Sequence, residues 1–505
     1  MTRPSSVVSS AASLLTSRAA VALIAIAFLG VTTRLLSIEE LAVFALYNSF
    51  CGLITVVSSL GLLAAGVKLL PGMQAAQRRA EAAGFIGLAL IVYALIAVAW
   101  TGLLIVVSGE LSMLILKSPR FAGDIKLAAL ASLGFGLYEA GQLLLNGLQR
   151  YGTLSRNNVL TAFTQRIASL ALFFLVGFRG YLVGFGLGSL VGAVYGLAVV
   201  SRAARGISQR AIGPGWVRRQ LGFAAPFYAD GYLRYLSMQL DQLLVGIFLP
   251  PAALSIYFIG KRFLHYCQML VRSLIDPLAT RVAELRERAP AEVGPMVRRS
   301  LRYFVLSFVP LSLLLAASSP FLLWMIAGEK YMEGTLALAL LFLSVPFYAV
   351  FSHLAAFVFI LGDPKDRLLA NAVSAVAQTA AMVVLMPLLA IEGLAIARSV
   401  GFGIAILGAR GLLRKHLRDV ARPGLLGLFF RCLGPSMVMG AILLIPYLML
   451  DNVLWIPMAL LPAVAVCLAG YLAFVLTRED RTVLSEMVPV SGRAWRTMQR
   501  IVRGG

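Results

Sequence analysis

Two apolar stretches of the chain carry ionisable side chains at helical spacing. Asp230, Arg234, Ser237 and Asp241 recur at i, i+4, i+7 and i+11, and Lys261, His265, Gln268, Arg272 and Asp276 at i, i+4, i+7, i+11 and i+15, with Arg262 alongside. At about 3.6 residues per turn each set makes one polar stripe on one helical face. An ionised side chain in hydrocarbon costs on the order of 2.5–3.5 kcal/mol, so both stripes need water, an ion or each other. On antiparallel helices, Asp241 and Lys261 share a depth roughly 25–30 Å from one end, and Asp230 and Arg272 one of roughly 9–14 Å, at a rise of about 1.5 Å per residue. Matched depths suit a static ion-pair clasp or the wall of a hydrated cavity, and both readings stay open.

A sparser polar set lies earlier in the chain. Arg18 stands among Ser9, Ser13, Thr16 and Ser17; Glu139, Gln142 and Asn146 form one line, and Arg166 reaches a depth that suits a pair with Glu139. Arg398 either lines a path or snorkels outward. Catalysis finds little support. His265, His353 and His416 are scattered, and no zinc-protease, nucleotide-binding or Ser-His-Asp pattern occurs. Cys51, Cys267, Cys432 and Cys467 lack metal or disulfide spacing and read as buried thiols. No cofactor or metal is called for.

The elements that position these residues are membrane helices. Of 505 residues, 60% are hydrophobic and 13% charged. Apolar runs of crossing length follow one another near 10–33, 41–67, 84–108, 126–148, 155–177, 180–201, 221–248, 252–278, 303–326, 334–361, 368–389, 393–409, 424–449 and 453–477. These predict an all-α integral membrane protein of about fourteen spans. Segment 109–125 reads as interfacial. The net charge of +22 does not signal nucleic acid here. Loop 202–219 carries Arg202, Arg205, Arg210, Arg218 and Arg219 without an acid, while 249–251 and 390–392 are short and nearly uncharged. The positive-inside rule then predicts both termini in the cytoplasm. The Ala25-Ile26-Ala27 signal-like motif sits inside a longer apolar run, which predicts an uncleaved first helix. The basic tail around Trp495, Met498, Ile501 and Val502 suits either an amphipathic helix on an anionic leaflet or a disordered segment.

The spans repeat. Asn158–Gln165 aligns with Asn371–Gln378, Leu41–Phe44 with Leu254–Tyr257, and the ladder Gly180, Gly184, Gly188, Gly192, Gly196 with Gly393, Ala397, Gly401, Ala405, Ala409, all at an offset of 213. One offset across several helices predicts two copies of one six-helix bundle, and doubled bundles in membranes typify transporters. The expected division is 1–209, 210–420, and a further pair of helices with the tail in 421–505.

The stretch Asp241-Gln242-Leu243-Leu244-Val245-Gly246-Ile247-Phe248-Leu249, then Ala253-Leu254-Ser255-Ile256-Tyr257, Lys261-Arg262-Phe263 and Gly393-Leu394-Ala395-Ile396-Ala397, resembles the multidrug/oligosaccharidyl-lipid/polysaccharide exporter superfamily in its polysaccharide branch. The resemblance implies two pseudo-twofold six-helix lobes around a central cavity, alternating access, and a polyprenyl-diphosphate-linked oligosaccharide as cargo in the bacterial inner membrane. It implies cations that meet the diphosphate, for which position and chemistry offer Arg18, Arg234, Lys261, Arg262 and Arg272. Asp230, Asp241 and Asp276 are candidates for ion coupling, or simply pair with those cations. Partners under this reading are the lipid-linked glycan, membrane lipids, and a polysaccharide polymerase with chain-length machinery; nucleic acid is not among them. A lipid II flippase and a cation-coupled multidrug exporter of the same superfamily are the alternatives.

Overall fold

A computed structural model describes residues 25–203, 213–362, 364–415, 417, 425–477 and 480, and among these it is helical almost throughout, with no strand. The chain runs α1 (Ala25–Leu35), α2 (Ile38–Ser59), α3 (Leu62–Ala75), α4 (Arg79–Val106), α5 (Ser108–Leu116), α6 (Ala122–Gly147), α7 (Tyr151–Val176) and α8 (Phe178–Ala203). A second series follows: α9 (Pro214–Phe248), α10 (Pro251–Arg288), α11 (Pro290–Ala317), α12 (Ser319–Ala327), α13 (Thr335–Leu343), α14 (Val345–Leu361) and α15 (Pro364–Arg414). Two more, α16 (Leu425–Leu450) and α17 (Trp455–Gly470), complete it. Ten of the described helices are long and apolar enough to cross a membrane. The protein is an all-α integral membrane protein.

Local chemistry starts the helices where they start. Ser37 Oγ accepts from Glu40 N at 3.1 Å while Glu40 Oε2 accepts from Ser37 N at 2.8 Å, a reciprocal cap that satisfies two orphan amides. Pro214, Pro251 and Pro290 open α9, α10 and α11, at the position where a missing N–H costs nothing. The long helices exceed the apolar runs. α10 has 38 residues, roughly 57 Å at 1.5 Å each, against about 30 Å of hydrocarbon. Its last turns leave the apolar run yet still bury Val282 and Leu285. On α4, Ile91, Leu95 and Val98 stand exposed at i, i+4 and i+7, a face that lipid covers.

The repeat is structural. Helix starts pair as Ile38 with Pro251, Ala122 with Thr335, and Tyr151 with Pro364, each 213 apart (for example 364 − 151). Between them, α4 with α11 and α5 with α12 pair at 211 (290 − 79 and 319 − 108), so the second copy runs two residues shorter than the first up to α11 and regains them before α13. This corrects the expected ninth span: the crossing is α11, and α12 is the counterpart of the short helix α5. The single helix α15 is likewise two crossings, broken at Leu389 and Ala390, where the backbone leaves helical geometry. Ala390 has φ 47°, and 213 positions earlier Gly177 has φ 75°. The left-handed turn is kept although its residue has gained a Cβ, a strain of about 1 kcal/mol or more that the flanking helices hold in place.

The glycine ladder supplies the same contact twice. A Cβ on Gly180 would collide with the Leu172 carbonyl, and one on Gly393 with the Leu385 carbonyl; on Gly188 it would strike the Gln165 backbone, and on Gly401 Gln378. All four pairs obey the 213 offset. Small residues there let backbones approach, which is what packs helices in lipid. Gly188→Ala and Gly401→Ala are each expected to cost about 1–3 kcal/mol, as overpacking does. Gly403→Ala, with nothing within 4 Å of its added Cβ, is expected to be neutral or slightly stabilising; unfolding temperatures of the purified variants check all three.

Within the first half α6 packs on α2, α3, α4 and α8, and α7 on α8; in the second, α14 packs on α10, α11 and α15. The halves meet where α2 packs on α9 and α10, and α3 on α9; within the second half α9 also packs on α15. α16 packs on α11 and α17, burying Cys432, Met439, Leu443 and Cys467 against Val305 and Val309. Beyond α17, Asp480 takes two bonds from Arg302, at 2.6 and 3.2 Å, and one from the Thr477 hydroxyl at 2.7 Å. Burial opposes ionisation of this carboxyl, but these donors outweigh it and hold it below the usual carboxylate range. The latch is therefore present above that range and weakens as pH falls through it.

Candidate functional site

α9 and α10 touch both halves, so their polar stripes lie at the junction. The stripes resolve into two kinds of site. The first is closed. Asp241, 1% exposed, takes Lys261 Nζ at 2.6 Å on Oδ1 and the Tyr257 hydroxyl at 2.6 Å on Oδ2. Arg398 Nη1 also bonds Oδ2, and the Gln242 amide donates to Oδ1 at 2.7 Å. Arg398 is itself 1% exposed. Four donors from α9, α10 and α15 thus surround one carboxylate, which satisfies its lone pairs and offsets its removal from water. Lys261 also reaches Gln239 Oε1 at 3.0 Å. Here the ion-pair clasp expected between Asp241 and Lys261 is formed, with a third member that the sequence reading had left undecided between a path-lining and an outward-facing side chain.

The second site holds cations without a carboxylate. Arg262 bonds Asn48 Oδ1 across the halves and lies 4.9 Å from the centre of the Phe258 ring. Arg166 on α7 donates to the Ala162 carbonyl at 2.9 Å and Gln165 Oε1 at 3.2 Å, and lies 5.5 Å from the Phe28 ring. The two guanidinium groups are near enough for their charges to interact, with Tyr266 facing both. No carboxylate pairs with either among the described residues. Like charges contributed by opposite halves are stabilised by an anion that both can reach. Further along α10, Arg272 donates to the Tyr348 hydroxyl at 3.1 Å and His265 stands near Lys261, Arg262 and Arg272. His265 is exposed on the same helix.

Depth matching misassigned the other pair. Asp230 accepts from Asn371 Nδ2 at 2.7 Å and lies 3.6 Å from Arg367, both on α15, not from Arg272. The reason is packing: α9 lies along α15, so its inner stripe faces that helix as well as α10. The Glu139–Arg166 pair is not formed either; Arg166 turns toward Phe28 and its own helix. Asp276 is exposed and has a partner. Arg18 and the side chain of Arg234 lie outside the described residues. Arg398 was missed as a site residue because its partners come from helices distant in sequence, its only local signal being a lone arginine within 393–409; Arg166 shares its span with Arg156 and offered no clearer signal.

Two concavities lie away from this junction. One of about 740 Å³ is lined by Phe248, Leu340, Met386, Leu389 and Ile396 with Glu392 at its edge. The other, about 350 Å³, is lined by Lys68, Arg78, Glu81 and Arg219. Among the described residues no group of three His, Cys, Asp or Glu side chains is arranged to hold a metal ion.

No curated protein matches the chain by sequence. Solved structures share its fold. The lipid II flippase MurJ in an inward closed conformation is similar at TM-score 0.71 and 14% identity, over 90% of this chain and 97% of that one. An inward-facing multidrug resistance MATE family transporter of the MOP superfamily is similar at TM-score 0.66 and 14% identity, over 79% and 95%. A MOP superfamily transporter from Pyrococcus furiosus, described as having a binding pocket of reversed polarity, is similar at 0.61 and 14%, over 82% and 95%. The polysaccharide biosynthesis protein family matches residues 7–282, more than half the chain, a range that includes Arg166, Lys261, Arg262 and Arg272 but not Arg398. With the doubled bundle and the shared fold, this match makes the chain a member of the polysaccharide biosynthesis protein family, within the multidrug/oligosaccharidyl-lipid/polysaccharide exporter superfamily.

Proposed function

We propose that the chain is a flippase that carries a polyprenyl-diphosphate-linked oligosaccharide from the cytoplasmic to the periplasmic leaflet of the bacterial inner membrane, for assembly of O-antigen, capsule or exopolysaccharide. The lobes 1–209 and 210–420 rock against each other about the junction, and residues 421–505 add two helices and a basic cytoplasmic tail. The observation that carries this reading is the approach of Arg166 and Arg262 from opposite halves without a carboxylate. A diphosphate suits that pair of cations, because each guanidinium presents parallel N–H donors to phosphate oxygens. Arg272 extends the cationic wall, with His265 beside it as a hydrogen-bonding ring, Arg18 and Arg234 are its remaining candidates, and Lys261 serves the clasp. The isoprenoid tail stays in lipid beside the lobes. Cargo that binds the inward and outward forms unequally shifts their balance.

Deleting the gene is expected to leave lipid-linked glycan facing inward and to remove a surface polymer. Unaltered outward exposure and an intact polymer would sink the reading. The alternative lipid II flippase shares the fold and the need to hold a diphosphate, and it predicts loss of viability instead. A cation-coupled drug exporter is disfavoured, because organic cations call for acidic and aromatic walls, and the unpaired groups at this junction are arginines.

A further inference from the structure

Inside the spans the carboxylates divide by partner. Asp241 holds two cations, Asp230 holds Asn371 and Arg367, and Asp276 has a partner of its own. Glu139 on α6 differs: among the described residues no cation or hydrogen-bond donor reaches its carboxylate. It lies eight residues, roughly 12 Å, from the C-terminal end of its helix, well inside the span. The groups gathered around it also lack partners. Tyr93 on α4 is 0% exposed and its hydroxyl makes no hydrogen bond; Gln142, one turn along α6 and 8% exposed, has both amide atoms unpaired. The Tyr93 hydroxyl packs against Gly136, one turn before Glu139 on α6, where an added Cβ would lie 2.6 Å from it. Thr55 stands beside the Tyr93 hydroxyl but gives its own hydrogen to the Cys51 carbonyl at 2.8 Å.

Buried polar groups without partners are rare, and several around one carboxylate mark a place where something binds. One carboxylate with the neutral oxygens of Tyr93 and Gln142 is a donor set of net charge −1, which a single monovalent cation neutralises. We infer that Glu139, Tyr93 and Gln142 form the ion-coupling site of this protein, in the first half of the bundle, and that the ion is a proton or sodium. Asp241 is unsuited to that role because Lys261 and Arg398 already neutralise it. The titratable groups facing Glu139 are Cys51 from α2, Tyr93 from α4 and Tyr138 from α6 itself. Arg166 of α7 turns to Gln165 and Phe28, Arg179 of α8 pairs with Asp124 at 2.9 Å, Lys117 beside α5 holds the Ile247 carbonyl at 2.7 Å, and Lys68 of α3 lines the separate 350 Å³ concavity.

The inference deepens the flippase reading and rests on it only for the word coupling; cation binding is tested apart from any cargo. The full chain in nanodiscs is unfolded by heat across a range of pH, and in sodium chloride against choline chloride at equal ionic strength. A cation that binds the folded form raises its unfolding temperature. The wild type is expected to be stabilised by mild acid alone if the ion is a proton, or by sodium over choline if it is sodium. Glu139→Gln, which mimics the neutral carboxyl, is expected to fold and to lose that response, and Tyr93→Phe to weaken it several-fold. A wild type indifferent to both cations, or a Glu139→Gln protein that responds as the wild type does, overturns the site. A Glu139-dependent response in a protein that moves no glycan keeps the site and removes the flippase reading.

Discussion

Asp241→Ala is expected to destabilise the protein by about 3–5 kcal/mol, the cost of breaking a buried ion pair from one side. The substitution strands Lys261 and Arg398, of which Arg398 is 1% exposed with its Nε already unpartnered. Loss of the shared carboxylate also frees the Tyr257 hydroxyl, and three helices lose their common anchor. The charge origin of the effect has its own check. Asp241→Asn combined with Arg398→Met should be more stable than Asp241→Asn alone, because the second change removes one of two surplus charges. Thermal unfolding of the purified variants measures both. A loss under about 1 kcal/mol for Asp241→Ala would mean that the clasp is hydrated and that its dry geometry is not what holds α9, α10 and α15 together.

Arg262→Gln is expected to lower transport of a diphosphate-linked glycan about 10- to 100-fold while leaving the fold intact. A charge-assisted hydrogen bond to phosphate is worth about 1.5–3 kcal/mol, which converts to that range. Stability is expected to hold, because the change removes one of two neighbouring like charges and glutamine keeps a donor for Asn48. Arg262→Lys should retain part of the activity, since it keeps the charge but loses the planar fork. Arg166→Gln should resemble Arg262→Gln if both guanidinium groups grip one diphosphate. Flux of labelled lipid-linked glycan in reconstituted vesicles gives the measurement. Full activity in both glutamine variants would move the anion site away from the junction.

The contrast between these two variants follows from what surrounds each charge. Asp241 and Arg398 are enclosed by protein, so a change there is felt as stability. Arg166 and Arg262 are part-buried and pair with no carboxylate among the described residues, so a change there is felt as binding. Nothing in the spacing of residues 230–276 separates these roles. Both stripes satisfy the same helical periodicity, yet the clasp takes only the ends beside the α9–α10 turn, and Asp230 and Arg272 further along find other partners.

Much of the architecture is legible in the residues themselves. In lipid a backbone must satisfy its own hydrogen bonds, so long apolar runs have to be helices, and their number and order follow. The 213-residue repeat is also visible, because close helix packing in a membrane demands small residues at fixed positions and so leaves Gly180, Gly188, Gly393 and Gly401 in register. What the chain alone leaves undecided is which charged side chain meets which. Asp230 finds Asn371 and Arg367 rather than Arg272, and Arg398 crosses 157 positions to reach Asp241. Those pairings depend on how helices rotate and lean on one another, and periodicity within a helix carries no information about its neighbour's phase. The same is true of Glu139, whose lack of a partner becomes visible only when α2, α4 and α6 are packed around it. Helix identity is thus a property of the solvent and the local sequence, while the chemistry at the junction belongs to the assembled bundle.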